Sequence, residues 1–191
     1  MLAGLAADVI TKVVVVDRVD PASPVRLLGG LLTLRVIRNP GAAFSQGPHL
    51  TYVFAIAGIV VLLYVFLRLA PRLGHLGWAV ALGLLCAGVS GNLTDRLFRR
   101  PGVLRGHVVD FIQLPHFAIF NVADMCITSA AVLIMILSVV KNVAVTGERY
   151  SRKRRQRGAR GVSPRESAPP RGSLPGQTQP LAPREPAEKD G

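Results

Sequence analysis

The stretch IFNVADMCITSAAVLIMILSVV, residues 119–140, decides the fold, because it joins an apolar run of membrane length to an acidic residue. A helix needs about 20 mostly apolar residues to cross the hydrocarbon core of a bilayer. Asp124 stands at the head of this run, and Asp110 lies upstream in VVDFI, residues 108–112. An acidic side chain that enters a bilayer is costly and indicates a functional site. Two of them beside one interface predict a pair of carboxylates that act together.

Two carboxylates held close together do not both ionise easily, so one tends to keep its proton at neutral pH. An aspartic protease uses such a pair to activate water. A simpler interpretation also fits Asn121 and Asp124, since an Asn N-cap followed three residues later by an acid is an ordinary helix start. That interpretation does not account for Asp110.

Four apolar stretches predict a mainly α integral membrane protein with four transmembrane helices. They cover residues 1–16, 51–69, 76–93 and 119–140. The first is short and contains a charged pair, and its alternative is a signal peptide, although a cleavable one would not normally carry such a pair. Residues 31–37, LLTLRVI, predict a strand that ends at Pro40-Gly41, so we expect a small extramembrane β element.

The net charge of +12 in a chain that is half hydrophobic is concentrated beside the membrane segments. This placement favours a membrane surface as partner over nucleic acid. The dense basic cluster that follows the fourth stretch places both termini in the cytoplasm, which puts Asp110, Asp124 and the loops 17–50 and 97–117 at the outer face. We expect a membrane domain over residues 1–146 and a disordered, basic Arg/Pro-rich tail over 147–191.

Several further residues form groups with a plausible role. Asp8 and Lys12 share one helix face, either as a mutually neutralising pair or as neighbours of a catalytic site. Four residues that end the third stretch share another face, and there the alternative is plain helix packing: Gly88, Asn92, Asp95 and Arg96. Residues 39–45, NPGAAFS, taken alone read as an ordinary turn.

Cysteine and histidine give little support to other chemistry. Cys86 and Cys126 lie in apolar runs, which predicts free buried thiols rather than a disulfide. The four histidines are scattered and there is no Cys/His cluster, so we predict no metal site.

Taken together and in this order, five blocks resemble the lipoprotein signal peptidases (signal peptidase II), the integral-membrane aspartic proteases of bacteria, and in particular actinobacterial members. The blocks are DxxxK at residues 8–12, NPGAAF at 39–44, GNLxDR at 91–96, VDF at 109–111 and FNxAD at 120–124.

The resemblance implies a specific activity: removal of the signal peptide from a diacylglyceryl-modified prolipoprotein by cleavage before the lipidated cysteine. It implies Asp110 and Asp124 as the catalytic dyad, a β-cradle over the membrane surface, and no metal or organic cofactor. We expect a monomer in the bacterial cell membrane. The residues it implies for substrate binding or support are Asp8, Lys12, Asn39, Gly41, Gly88, Asn92, Asp95, Arg96 and Asn121.

Two features depart from the family pattern. Family members usually have more residues before the DxxxK block, so we expect either a truncated first helix or a misassigned start. The long Arg/Pro tail is outside the common core. The alternative function is a small four-span proton-coupled transporter with the intramembrane charges as a relay, but such a carrier should hold its acids near the midplane, often with an internal repeat. A lipid-binding scaffold would account for the tail and not for the acids.

Overall fold

A computed structural model describes residues 1–41 and 51–148 of the 191-residue chain. These residues form the helices α1 (Leu2–Arg18), α2 (Thr51–Tyr64), α3 (Leu76–Phe98) and α4 (Val122–Met135), and the strands β1 (Val25–Leu27), β2 (Leu32–Asn39) and β3 (Val108–Gln113). Two helices continue in tighter or wider turns, α2 through Val65–Leu69 and Ala70–Arg72, and α4 through Ile136–Val140. Of the predicted tail, residues 147–191, only Gly147 and Glu148 are described, and residues 42–50 of the first outer loop also lie outside the described residues.

Three helical segments are long and apolar enough to cross a membrane: Thr51–Arg72, Leu76–Phe98 and Val122–Val140. Side chains of α2 such as Ile56, Val60 and Leu63 are exposed, which is costly in water and expected for a helix that faces lipid. The fourth predicted span, α1, has 17 residues and buries Asp8 and Lys12. By length and composition, the described residues therefore give three spans rather than four.

The sheet has the order β1-β2-β3 and is antiparallel throughout. The predicted strand is confirmed as β2, which runs two residues further than expected, to Asn39. Neither β1 nor β3 was predicted, and β3 lies in the region that was interpreted only as a connection, residues 97–117. An irregularity between Leu34 and Ile37 shifts the register, and beyond it Ile37 pairs with Asp110.

Two clusters of buried apolar side chains form the core of the described residues, one toward each end of the helices. Near one end of the helices, Trp78, Ala81 and Leu82 of α3 pack against Val65 and Leu137. At the other end, Val15 and Val19, at and just beyond the end of α1, pack against Val109 and Phe111 of β3. The second cluster fixes β3 against α1, and so fixes the height of Asp110 above the helices. Both cysteines are free, as predicted, but only Cys86 is buried, whereas Cys126 is partly exposed.

Candidate active site

The two predicted aspartates open onto one pocket, although they come from different elements. Asp110 lies in the middle of β3, and Asp124 is the third residue of α4. The pocket has a volume of about 280 Å³. Its lining comprises Asn39, Phe54, Asn92, Arg96, Val108, Asp110, Ala118, Ile119, Phe120 and Asp124.

Asp110 is buried and accepts a hydrogen bond at each carboxylate oxygen. Asn121 Nδ2 donates to Oδ1 over 2.7 Å, and Asn39 Nδ2 donates to Oδ2 over 2.9 Å. Burial raises the pKa of Asp110 to about 6, and the nearby Asp124 charge acts in the same direction. The Asn39 and Asn121 amides oppose this rise because they stabilise the ionised form. A carboxyl group with this pKa can exchange its proton near neutral pH.

Asp124 is held by the start of its own helix and by α3. The backbone N–H of Asn121 donates to Asp124 Oδ2 over 3.1 Å, while Asn121 Oδ1 accepts the Asp124 N–H over 3.0 Å, which completes a capping box. Asn92 Nδ2 donates to Asp124 Oδ1 over 2.9 Å. The helix-start interpretation is therefore correct, and the same contacts also aim the Asp124 carboxylate into the pocket.

Three asparagine amides connect the two carboxylates. Asn121 Nδ2 donates to Asp110 and also to Asn92 Oδ1, at 3.2 Å. The amide of Asn39 is oriented by the Gly41 N–H, which donates to Asn39 Oδ1 over 3.0 Å and so leaves Nδ2 facing Asp110. Through Asn39, the NPG turn at residues 39–41 thus positions Asp110 of the dyad. The sequence of the turn taken alone did not predict this role.

A buried ion network lies directly behind these amides. Lys12 Nζ is 2.8 Å from Asp8 Oδ2, 2.8 Å from Asp95 Oδ2 and 3.1 Å from Asn92 Oδ1. The two contacts with carboxylates are ion pairs, and the contact with Asn92 is a hydrogen bond. Asp8 and Lys12 therefore neutralise each other, and Lys12 also contacts Asn92 in the lining of the pocket.

The same network joins distant elements. Asp8 Oδ1 accepts the Ala123 N–H over 2.8 Å, which ties α1 to the first turn of α4. Asp95 accepts the Val109 N–H over 3.2 Å and pairs with Arg99, which ties α3 to β3. The residue just before each aspartate of the dyad thus donates its backbone N–H to a buried carboxylate: Val109 to Asp95, and Ala123 to Asp8.

The remaining predicted residues serve packing or line the rim. Gly88 lies against α4, where a Cβ would come within 2.3 Å of the Ala123 carbonyl oxygen, so helix packing explains this glycine. Arg96 lines the pocket beside both carboxylates. Its guanidinium donates to the Pro40 carbonyl over 3.4 Å and stacks over Phe54 at 5.4 Å from the ring centroid.

Sequence reasoning missed the apolar part of the lining. Phe120 lies inside a quoted block but was given no role, whereas Val108 and Phe54 lie outside every block. The aromatic character of Phe54 at the start of an apolar helix carries no signal that it faces a pocket. Among the described residues no group of three His, Cys, Asp or Glu side chains is placed to hold a metal ion.

Comparison with known proteins assigns this arrangement to a family. The model of the family described as signal peptidase (SPase) II matches residues 1–140. The chain belongs to the signal peptidase II family. It is 47% identical over 131 residues to a lipoprotein signal peptidase of Streptomyces coelicolor, covering 69% of this chain and 64% of that protein. It is 45% identical over 166 residues to a lipoprotein signal peptidase of Leifsonia xyli, covering 86% and 72%.

The signal peptidase II assignment agrees with a solved structure of a bacterial membrane enzyme. That structure superimposes with a TM-score of 0.60 at 28% identity, over 74% of this chain and 85% of the other. The family resemblance drawn from the five blocks is thus confirmed, including its actinobacterial relatives. The comparisons give no support to the transporter alternative. This chain spans about two thirds of the length of these curated relatives.

Proposed function

We propose that this member of the signal peptidase II family cleaves the signal peptide from diacylglyceryl-modified prolipoproteins, with Asp110 and Asp124 as its catalytic pair. One observation carries the proposal. The two carboxylates face the same pocket, and each of their four oxygens accepts an N–H from Asn39, Asn92 or Asn121. These donors hold both acids in fixed positions without neutralising either with a cation.

The reaction needs one carboxylate and one carboxylic acid. The ionised aspartate removes a proton from a water molecule, and the resulting hydroxide attacks the carbonyl carbon of the scissile peptide bond. The protonated aspartate donates its proton to the carbonyl oxygen, which gives a tetrahedral diol. The intermediate then collapses: the C–N bond breaks, one aspartate protonates the leaving nitrogen, and the other recovers a proton from the diol.

The fold supports α1 as a fourth membrane helix in spite of its length. Seventeen residues of helix span about 25 Å, a little less than the 30 Å hydrocarbon core. Its apolar Ile10, Val13 and Val14 are exposed, whereas Asp8 and Lys12 face inward and neutralise each other. This inside-out pattern is the one that lipid requires.

With four spans the two ends of the membrane domain lie on one side, and the positive-inside rule places that side in the cytoplasm. The sheet and the dyad then lie at the outer face of the membrane. There the pocket meets a substrate whose lipid anchor holds the scissile bond at headgroup depth. Burial of acyl chains contributes about 0.8 kcal/mol per CH₂, which anchors the substrate far more strongly than peptide contacts would. We propose that the enzyme works as a monomer, since one chain supplies every residue of the pocket.

The test is cleavage of a diacylglyceryl-modified prolipoprotein peptide by the purified full-length protein in detergent. Mass spectrometry should find one product whose new N-terminus is the lipidated cysteine. A second lipidated peptide with the cysteine moved by two residues should be cut at the moved position. Cleavage elsewhere, or cleavage that ignores the lipid position, would contradict the proposed activity.

A further inference from the structure

A second pocket of a different character lies at the α3 end of the sheet. It is an open pocket of about 760 Å³ lined by Arg38, Arg100, Pro101 and His107. The lining is basic and contains no acidic residue. Within the described residues, neither Arg38 nor Arg100 makes an ion pair or a hydrogen bond through its guanidinium, whereas nearby Arg99 is paired with Asp95.

Backbone hydrogen bonds hold this pocket in shape. The connection that follows α3 closes on itself, because the His107 N–H donates to the Arg100 carbonyl over 3.1 Å and the Gly106 N–H donates to the Arg96 carbonyl over 3.0 Å. Arg38 lies on β2, paired with Val109 of β3. Three cationic or ionisable side chains thus converge from two elements that the sheet holds together.

The surroundings of the pocket are apolar and exposed. Phe98, the last residue of α3, is 82% exposed, and Val103 of the same connection is 72% exposed. Because α3 is long and apolar enough to cross the membrane, its Phe98 end comes to the boundary between hydrocarbon and headgroups. At this boundary the two guanidinium groups lie at the level of the lipid phosphates, and the exposed apolar side chains lie beside the acyl chains. This combination matches a phospholipid.

We propose that Arg38, Arg100 and His107 bind the phosphodiester of an anionic phospholipid headgroup. Arginine suits this ligand because its planar fork of N–H donors matches two phosphate oxygens. The bound lipid sets the height of the sheet relative to the membrane. Arg38 is followed by Asn39, whose amide donates to Asp110, and Arg38 pairs across the sheet with Val109, the residue before Asp110. The inference needs α3 to span the membrane and does not depend on peptidase activity.

The experiment measures lipid binding directly, by native mass spectrometry of the purified full chain in detergent. The ligands are phosphatidylglycerol, the zwitterionic phosphatidylcholine and inorganic phosphate as competitor. Each basic residue near an anionic lipid contributes a factor of about five in affinity, so R38Q/R100Q should weaken phosphatidylglycerol binding by roughly 10- to 30-fold. The matched control R26Q/R35Q removes the same charge from the other basic pocket of the sheet and should bind as the wild type does.

Each outcome bears on the proposal. Selective loss in R38Q/R100Q, with an unchanged thermal unfolding temperature, supports it. Equal weakening in both double variants would reduce the effect to net charge and overturn it. Equal binding of phosphatidylcholine, or displacement of phosphatidylglycerol by millimolar phosphate, would show that the pocket does not select an anionic lipid. If peptide cleavage fails while lipid binding behaves as described, the proposed function is wrong and this inference stands.

Discussion

Asn121 Nδ2 lies 2.7 Å from Asp110 Oδ1, while the backbone N–H of the same asparagine lies 3.1 Å from Asp124 Oδ2. One residue therefore touches both carboxylates, one through its side chain and one through its main chain. Because the N-cap position fixes Asn121 at the start of α4, the separation of the two acids is set by the geometry of a helix terminus.

Replacing either acid by its amide should stop catalysis. Asp110→Asn and Asp124→Asn keep the shape of the side chain and remove the proton transfer, so each should lower kcat by about 10²- to 10⁴-fold. The measurement is turnover of a lipidated peptide, with thermal unfolding in detergent as the check that each variant is folded. Near-normal turnover by either variant would rule out a two-aspartate mechanism.

The pH dependence of the enzyme should respond to Asn39. Asp110 has a pKa of about 6, so the limb of kcat/KM that reports it lies near pH 6. The Asn39 amide stabilises the ionised carboxylate, so Asn39→Leu should raise this pKa further and move that limb to higher pH. Gln113→Leu removes an amide from the far end of β3, away from the dyad, and should leave the limb in place. A limb that stays fixed in Asn39→Leu would mean that it belongs to another group.

Removing the buried cation should destabilise the membrane domain. Lys12→Met leaves the buried Asp8 without its cationic partner and leaves Asp95 with Arg99 alone, which costs about 3–5 kcal/mol of unfolding free energy. Lys141→Met removes the same group from an exposed position and should have little effect. The measurement is unfolding in detergent at neutral pH. A loss of stability shared equally by the two variants would exclude a specific role for the network.

Packing of α3 on α4 should be sensitive at one glycine. In Gly88→Ala the new methyl group meets the Ala123 carbonyl at 2.3 Å, so α4 must move away and carry Asp124 from Asn92. Overpacking of this kind costs about 1–3 kcal/mol and should also lower kcat. In Gly83→Ala, on the same helix, the nearest atom is 3.5 Å away, so stability and turnover should stay normal. Equal behaviour of the two alanine variants would refute the close approach.

Substrate lipidation should matter more than peptide sequence. The same peptide with a free cysteine has no anchor at headgroup depth, so its kcat/KM should fall well below that of the lipidated form. Arg96→Ala should weaken processing with both aspartates intact, because Arg96 lines the pocket and its guanidinium can bind a peptide carbonyl. Equal rates for the two peptides in one detergent would contradict an anchor-dependent site.

The candidate catalytic residues and the family could be named from the sequence because they lie in short blocks with a fixed order. Asp110 and Asp124 each sit inside a recognisable segment, and an acid beside an apolar run is costly enough to indicate function. The strand β2 was predictable for a similar reason, since its alternation is local. None of these inferences required knowledge of which segments meet.

The contacts between blocks were not predictable, because nothing in spacing reports them. Asn39 reaches Asp110 across 71 residues, and Asp8 reaches the Ala123 N–H across 115. The strand β3 was missed because Val108–Gln113 does not alternate between apolar and polar residues: each face has two apolar residues and one polar residue. The sequence predicted four spans, whereas length and composition give three in the structure because α1 is short and contains two charges. That these charges are buried could be seen only from their contacts with Asp95 and Ala123, which are distant in sequence.

The tie between Asp8 and the start of α4 has a consequence for biosynthesis. The ribosome delivers α1 first, with Asp8 and Lys12 exposed, and it delivers the Ala123 N–H more than a hundred residues later. Until then Asp8 lacks the N–H that it accepts from α4, although Lys12 can already contact Asn92 and Asp95 of α3. Once α4 is complete, its Ala123 N–H binds Asp8 of α1, and Asp124 joins Asp110 in one pocket. A chain in which α4 has not yet been inserted therefore lacks both the Asp8–Ala123 contact and the assembled pair of aspartates.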